Sequence, residues 1–396
     1  MRFIGLVRDA DWLTADRCVA WSRVLLGTFV AVSALWLSLA VDVVDHTGRP
    51  IGTDFIGFYA ASKLALAGAP ASVWDASASW AAQAEIFGRN FGYWGFLYPP
   101  PFLLLCLPLA LLSYGGALLA WLSLTSGAAI ACLRRWSEGQ IGWIAILTFP
   151  ALWVNAGNGQ NGGLTTALLG TGFLVLPGHP MLAGLAFGGL AIKPQLGVAL
   201  PFALIAARQW RPICAAGVTS IGLSLLATAI FGTDIWRGFL TSTSIARAVL
   251  EQNALYEKMP TIFAAARLYG APLSFAYGAQ AITALTALGF LFRCVRRHRP
   301  DALALGAVTV AATVLVSPYL LDYDLSVIGL PLAWISGRGL VHGFLPYEKF
   351  GILAAFALPL ISRVLCLDLH LAAGPIVLVT LLCLVVRRIS TEAEKA

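Results

Sequence analysis

The chain has 396 residues, 59% of them hydrophobic and only 11% charged, with a mean hydropathy of +0.81. A water-soluble enzyme is excluded by that balance; with roughly 20 apolar residues needed per crossing, the chain reads as an all-α polytopic membrane protein of about 12 crossings. The formal net charge of +7 is no nucleic-acid footprint, because Lys and Arg fall in short clusters between apolar runs, where membrane orientation needs them.

Residues 1–18 set Arg2, Arg8 and Arg17 against Asp9, Asp11 and Asp16 and precede an apolar run, 19–41, that is too long for a signal-peptide core; it reads as a retained first span with a cytoplasmic N-terminus. Residues 42–113 form a first outer loop. It carries Gly52-Thr53-Asp54-Phe55-Ile56-Gly57-Phe58-Tyr59 and, near its end, Tyr98-Pro99-Pro100-Pro101. The segment 99–112, interrupted by Pro108, is short for a span and reads as a helix that dips into the outer leaflet. Asp54 is well suited to cap a helix beginning at Phe55. Asp42, Asp45 and Asp75 lack its aromatic neighbours and read as surface residues, while Tyr59, Tyr98 and Tyr93-Trp94 suit either an interfacial aromatic belt or stacking on a sugar.

Four basic clusters fix the expected orientation by the positive-inside rule: Arg134-Arg135, Arg208 with Arg211, Arg293 through Arg299, and Arg387-Arg388. Putting all four on one side makes 114–231 a helical module, with 115–133 inward, 141–154 outward to Gly157-Asn158-Gly159-Gln160-Asn161-Gly162, and 164–176 back. The stretch 181–207 splits into two short spans meeting at Lys193-Pro194-Gln195, since a Lys within a continuous span needs a buried partner. Gly184 and Gly188 have the spacing of tight helix packing. A second large outer loop, 232–272, mixes charged and apolar residues as surface helices do. The C-terminal helices, 273–387, pass outside at Ser317-Pro318-Tyr319-Leu320-Leu321-Asp322-Tyr323-Asp324 and again at Asp368, and the tail 388–396 is cytoplasmic.

This topology sends four polar segments, around Asp54, Gln160, Lys193 and Asp322 to Asp324, to one face. Gly-rich backbone at membrane depth is tolerated only where protein or a wet cavity surrounds it, so these segments should line one. A cavity open to lipid and water suits a lipid-linked sugar phosphate. Its transfer to a hydroxyl needs one base, because the departing phosphate is already a stable anion, whereas glycoside hydrolysis normally uses two carboxyl groups. Asp54 is the candidate base, Lys193 a point charge for phosphate, and Gln160 or Asn161 donors to sugar or phosphate oxygens. Asp322 and Asp324 lack a third ligand at recognisable spacing, and the five histidines lie apart, so no metal is expected. The seven cysteines show no paired spacing and read as buried and inert.

Gly-Thr-Asp-Phe with a following Tyr59, Tyr-Pro-Pro, Gly-Gln-Asn, Lys-Pro-Gln, and Ser-Pro-Tyr before Asp-Tyr-Asp occur in an order that resembles bacterial glycosyltransferase family 87. That family includes polyprenyl-phosphate-mannose-dependent alpha-mannosyltransferases, within the GT-C fold superfamily. The resemblance covers residues 33–334. It implies a catalytic Asp in the first outer loop, here Asp54, and a second outer loop capping the site. Beside it, Tyr59, Tyr98, Gln160, Asn161, Lys193, Gln195, Tyr319, Asp322 and Asp324 are the candidate contacts to donor or acceptor. The implied donor is a polyprenyl-phosphate sugar, with mannose first and no cofactor, and the acceptor a glycolipid or glycan. The retained first span, the span count and the absence of an organelle signal fit a bacterial inner membrane with the site periplasmic. Where some members carry a His after Ser-Pro this chain has Tyr319 to Asp322, so no role of a His carries over. A secondary transporter, or a non-catalytic subunit of an envelope polysaccharide system, is the alternative.

Overall fold

The structure, a computed structural model, describes residues 2–88, 92–252 and 255–395. Among them the chain forms nineteen α-helices and six 3-10 turns, and only isolated bridges around Val41, Val44 and Pro50 are extended pairings. Five helices are long and apolar enough to span a bilayer: Ala15–Ser38, Tyr114–Trp136, Trp210–Phe231, Leu273–His298 and Glu348–Leu369. Local chemistry sets two of these starts. The hydroxyls of Thr14 and Ser113 accept backbone N–H groups that the first turn of a helix leaves unpaired. Basic residues close others, with Arg134 and Arg135 in the last turn of one and Arg296, Arg297 and His298 in that of another. The protein is therefore a polytopic membrane protein, and its exposed spans present Val24, Leu119, Val218 and Leu285 where lipid would lie.

The shorter helices form the interior. Ala302–Val316 is apolar all round and buried over nearly its whole length, as a helix enclosed by others must be. Pro180–Gly188 lies so close to Trp210–Phe231 that a Cβ on Gly184 would stand 2.4 Å from Ala215 Cβ, and one on Gly188 2.5 Å from Thr219 Cβ. Glycines facing small residues permit this approach, as their spacing implies. The chain breaks at Lys193, between the 3-10 turns Gly189–Ile192 and Pro194–Leu196, before continuing as Ala199–Ala206.

Two expectations need correction. The outward run 141–154 is not one helix but two, Trp143–Leu147 and Pro150–Asn158, because Phe149 precedes a proline and is pushed to extended backbone. The cysteines are not uniformly buried: Cys106, Cys132, Cys294 and Cys366 are, but Cys18, Cys214 and Cys383 lie on outward faces of their helices. An apolar thiol costs nothing against lipid, so apolar surroundings in sequence do not discriminate a core face from a lipid face.

The segment after Trp210–Phe231 forms the surface helix Asp234–Glu251, the turn Tyr256–Lys258 and the helix Ile262–Leu268. Buried Tyr256, Met259 and Phe263 anchor it, and Pro260 packs against Gly374, where a Cβ would meet it at 2.5 Å.

Candidate active site

Asp54 occupies the N-cap position of Phe55–Leu66, yet its carboxylate makes no capping bond. Instead it turns to Gln160, whose Nε2 donates to Asp54 Oδ2 at 2.9 Å. Two turns distant in sequence create this contact. Gly52 and Gly159 both have positive φ, +68° and +64°, and their backbones touch, so that a Cβ on Gly159 would lie 2.6 Å from Phe55 Cβ. The Asp54 N–H donates to the Asn158 carbonyl at 3.0 Å, and the two turns are thereby fixed together.

The amide orientation of Gln160 is determined by its other partners. Its Oε1 accepts from the Tyr98 hydroxyl at 2.9 Å and from the Asn161 N–H at 3.2 Å. Both are donors, so the NH2 end must face the carboxylate. The Trp121 indole holds the Gln160 carbonyl at 3.3 Å. Behind Tyr98 stands an aromatic cluster, with Phe58 and Phe102 rings 5.3 and 4.6 Å from it.

Asn161 joins this group to a second. Its Oδ1 accepts from Lys193 Nζ at 3.0 Å, and Lys193 forms an ion pair with Asp324. Lys193 is 3% exposed and Asp324 1%, so each supplies the buried partner the other requires. Asp324 also accepts the Leu321 N–H at 3.2 Å, closing the turn that begins Asp322–Ile328. Tyr98 and Tyr323 lie 5.7 and 5.1 Å from Lys193 Nζ across their ring faces. Asn155, on Pro150–Asn158, receives the Gly162 N–H at 2.7 Å, and the side-chain nitrogens of Asn155 and Asn161 are buried donors without a partner among the described residues.

The remaining predicted residues take different places. Tyr59 is buried, its hydroxyl donating to the Leu112 carbonyl at 2.8 Å, so it braces the first loop. Gln195 is half-buried in the turn after Lys193, and Tyr319 is half-buried near the acidic group, its hydroxyl pushed up to about 12 mainly by burial and then by Asp324 and Asp54. Asp322 is buried and accepts the Tyr323 N–H at 2.9 Å; burial raises it to about 6. Burial also raises Asp54, opposed first by the Gln160 hydrogen bond, then by the charges of Lys258 and Lys193.

Lys258 is the residue that sequence reading missed. It is half-buried, and its charge acts on both Asp54 and Asp322. Its signal was present, a Lys just before Met259-Pro260 in the second loop, but nothing in the spacing ties that loop to Asp54. Asn155 and Trp121 were hidden likewise, as single polar groups inside apolar runs.

The model of glycosyltransferase family 87 matches residues 96–318, more than half of the chain. The chain belongs to glycosyltransferase family 87. It is therefore a membrane glycosyltransferase. Searches of curated proteins and of solved structures returned no match. The family 87 match takes in Tyr98, Gln160, Asn161 and Lys193, and stops short of Asp54 on one side and Asp322 on the other. Asp54 is tied to the matched region by its bond to Gln160, and Asp324 by its pair with Lys193.

Proposed function

We propose that this glycosyltransferase moves a sugar, mannose being the first candidate, from a polyprenyl-phosphate donor to a glycolipid or glycan hydroxyl, with Asp54 as the base. The observation that carries the reading is the Asp54 carboxylate, half-buried, held by a donor of fixed orientation and within reach of the charge of Lys258. A carboxylate oriented in this way can take a proton as the acceptor oxygen bonds to the anomeric carbon. The bond from that carbon to the phosphate oxygen breaks at the same time, its electron pair leaving on polyprenyl phosphate. The acceptor proton ends on Asp54. Lys258, whose charge reaches both Asp54 and Asp322, is the candidate to meet the phosphate as a point charge. Lys193 has a different task, since Asp324 and Asn161 already engage it: it braces the turns that carry Gln160 and Asp322.

One displacement at carbon inverts the anomeric centre. No cofactor enters this scheme, because the donor's phosphate supplies the activation. The positive-inside clusters support a site on the periplasmic side of a bacterial inner membrane with both termini cytoplasmic, within the GT-C architecture that the family resemblance implies. The test is to give the purified protein polyprenyl-phosphate-linked mannose, glucose and arabinose, each labelled, with extracted membrane lipids as acceptors. The reading expects label to pass from the mannose donor with inversion at the anomeric carbon. Retention at that carbon would overturn the single displacement, and transfer from another donor only would overturn mannose.

A further inference from the structure

Two helices that reach the site with one end approach a cavity with the other. Gly162–Val175 starts beside Gln160 and Asn161 and runs for 14 residues, or about 21 Å, before Leu176; Ala302–Val316 runs the opposite way, from Asp301 to Ser317. At the far ends lies a cavity of about 550 Å³, lined by Arg208, Arg296 and Arg299 with Gln209 on one side and Leu176 and Leu305 on the other.

We propose that this cavity binds the phosphate headgroup of an anionic phospholipid. Basic residues near a membrane surface ordinarily serve only orientation, and three further observations go beyond that. The three arginines come from two segments far apart in sequence and line one hollow; none of the three has a carboxylate partner among the described residues. The nearest acidic side chain in sequence, Asp301, is already engaged by Arg338 at 2.6 Å and by the Ala304 N–H at 2.9 Å. Arg208 and Arg299 both sit at positive φ, +56° and +46°, a conformation glycine adopts more readily, yet the cavity places an arginine at each bend.

A soluble polyphosphate and a lipid headgroup share the chemistry that such a cluster recognises, and the rim favours the lipid. Met181 and Trp210, 56% and 58% exposed, directly follow the lining residues Pro180 and Gln209. They offer an apolar edge for acyl chains next to a cavity lined by arginines, and basic pockets between spanning helices suit anionic headgroups.

The test uses the full chain in phosphatidylcholine nanodiscs containing a minor fraction of phosphatidylglycerol, with retained lipid measured by native mass spectrometry. The triple change Arg208→Gln, Arg296→Gln, Arg299→Gln is expected to lower phosphatidylglycerol retention by roughly fivefold per arginine, with phosphatidylcholine unaffected. The single change Gln209→Glu, which leaves every arginine in place, should lower it severalfold. Equal retention by a folded triple variant and by Gln209→Glu would overturn the proposal. Arginine-dependent binding of inorganic pyrophosphate without arginine-dependent lipid retention would overturn the lipid assignment in favour of a soluble anion.

Discussion

Gln160 is the residue whose chemistry is most constrained, because it faces a carboxylate with one end of its amide and two donors with the other. Its hydrogen bond favours the ionised form of Asp54 while burial disfavours it. A base must be ionised to act, so the rate should rise with pH through a limb displaced above the ordinary aspartate value of ~3.9. Gln160→Met removes the favourable bond, and the limb should move to still higher pH while kcat falls roughly 10- to 100-fold, the worth of a hydrogen bond to a charged group. A fall in kcat with an unmoved limb would reduce Gln160 to a packing residue. Tyr98→Phe removes only the hydroxyl that orients the amide, and should cost roughly two- to tenfold in kcat; the pH–rate profile of each variant is the check.

At the scale of elements, the broken helix at Lys193 and the turn Asp322–Ile328 are joined by a buried ion pair. Removing one partner leaves the other charged and buried, so Lys193→Met or Asp324→Leu alone should destabilise by about 3–5 kcal/mol. The double variant should regain much of that loss, since an apolar pair of similar volume avoids the desolvation cost; thermal unfolding in detergent reads all three. If Lys193→Met instead kept full stability and lost only donor binding, its role would be contact with phosphate. Gly188→Leu should destabilise by about 1–3 kcal/mol through overpacking against Thr219 and the Ala216 carbonyl, which a Cβ would meet at 2.6 Å. The long spans and the break at Lys193 were legible because apolar runs, basic ends and a Lys-Pro step are local signals. The junction of Gly52 with Gly159, and the Asp54–Gln160 bond across 106 residues, were not. Periodicity says which residues are apolar, and it carries no information on which turns meet.

For the whole molecule, the central question is which way it stands in the bilayer. The candidate site and the arginine-lined cavity occupy opposite ends of Gly162–Val175 and Ala302–Val316, so labelling one end of the protein settles both. In a background with Cys18, Cys214 and Cys383 replaced, since these are exposed, His46→Cys should react with an impermeant thiol reagent on intact cells. Arg211→Cys should react only after permeabilisation. The reverse pattern would put the site on the cytoplasmic side. Lys258 belongs to this scale too, because it is carried by the second loop yet acts on carboxylates of the first loop and the 322 turn. The resemblance of short motifs implies a second loop capping the site but gives no sign of Lys258, which lies in that segment beside buried Met259.

The most direct test of the central claim compares purified wild-type protein with Asp54→Asn for transfer of labelled mannose from polyprenyl phosphate. Asn preserves shape and hydrogen bonding but cannot take the acceptor proton. With Asp54 as the base, transfer falls by roughly 10²- to 10⁴-fold while donor binding and thermal stability stay near wild type. Transfer by Asp54→Asn at the wild-type rate would contradict the account.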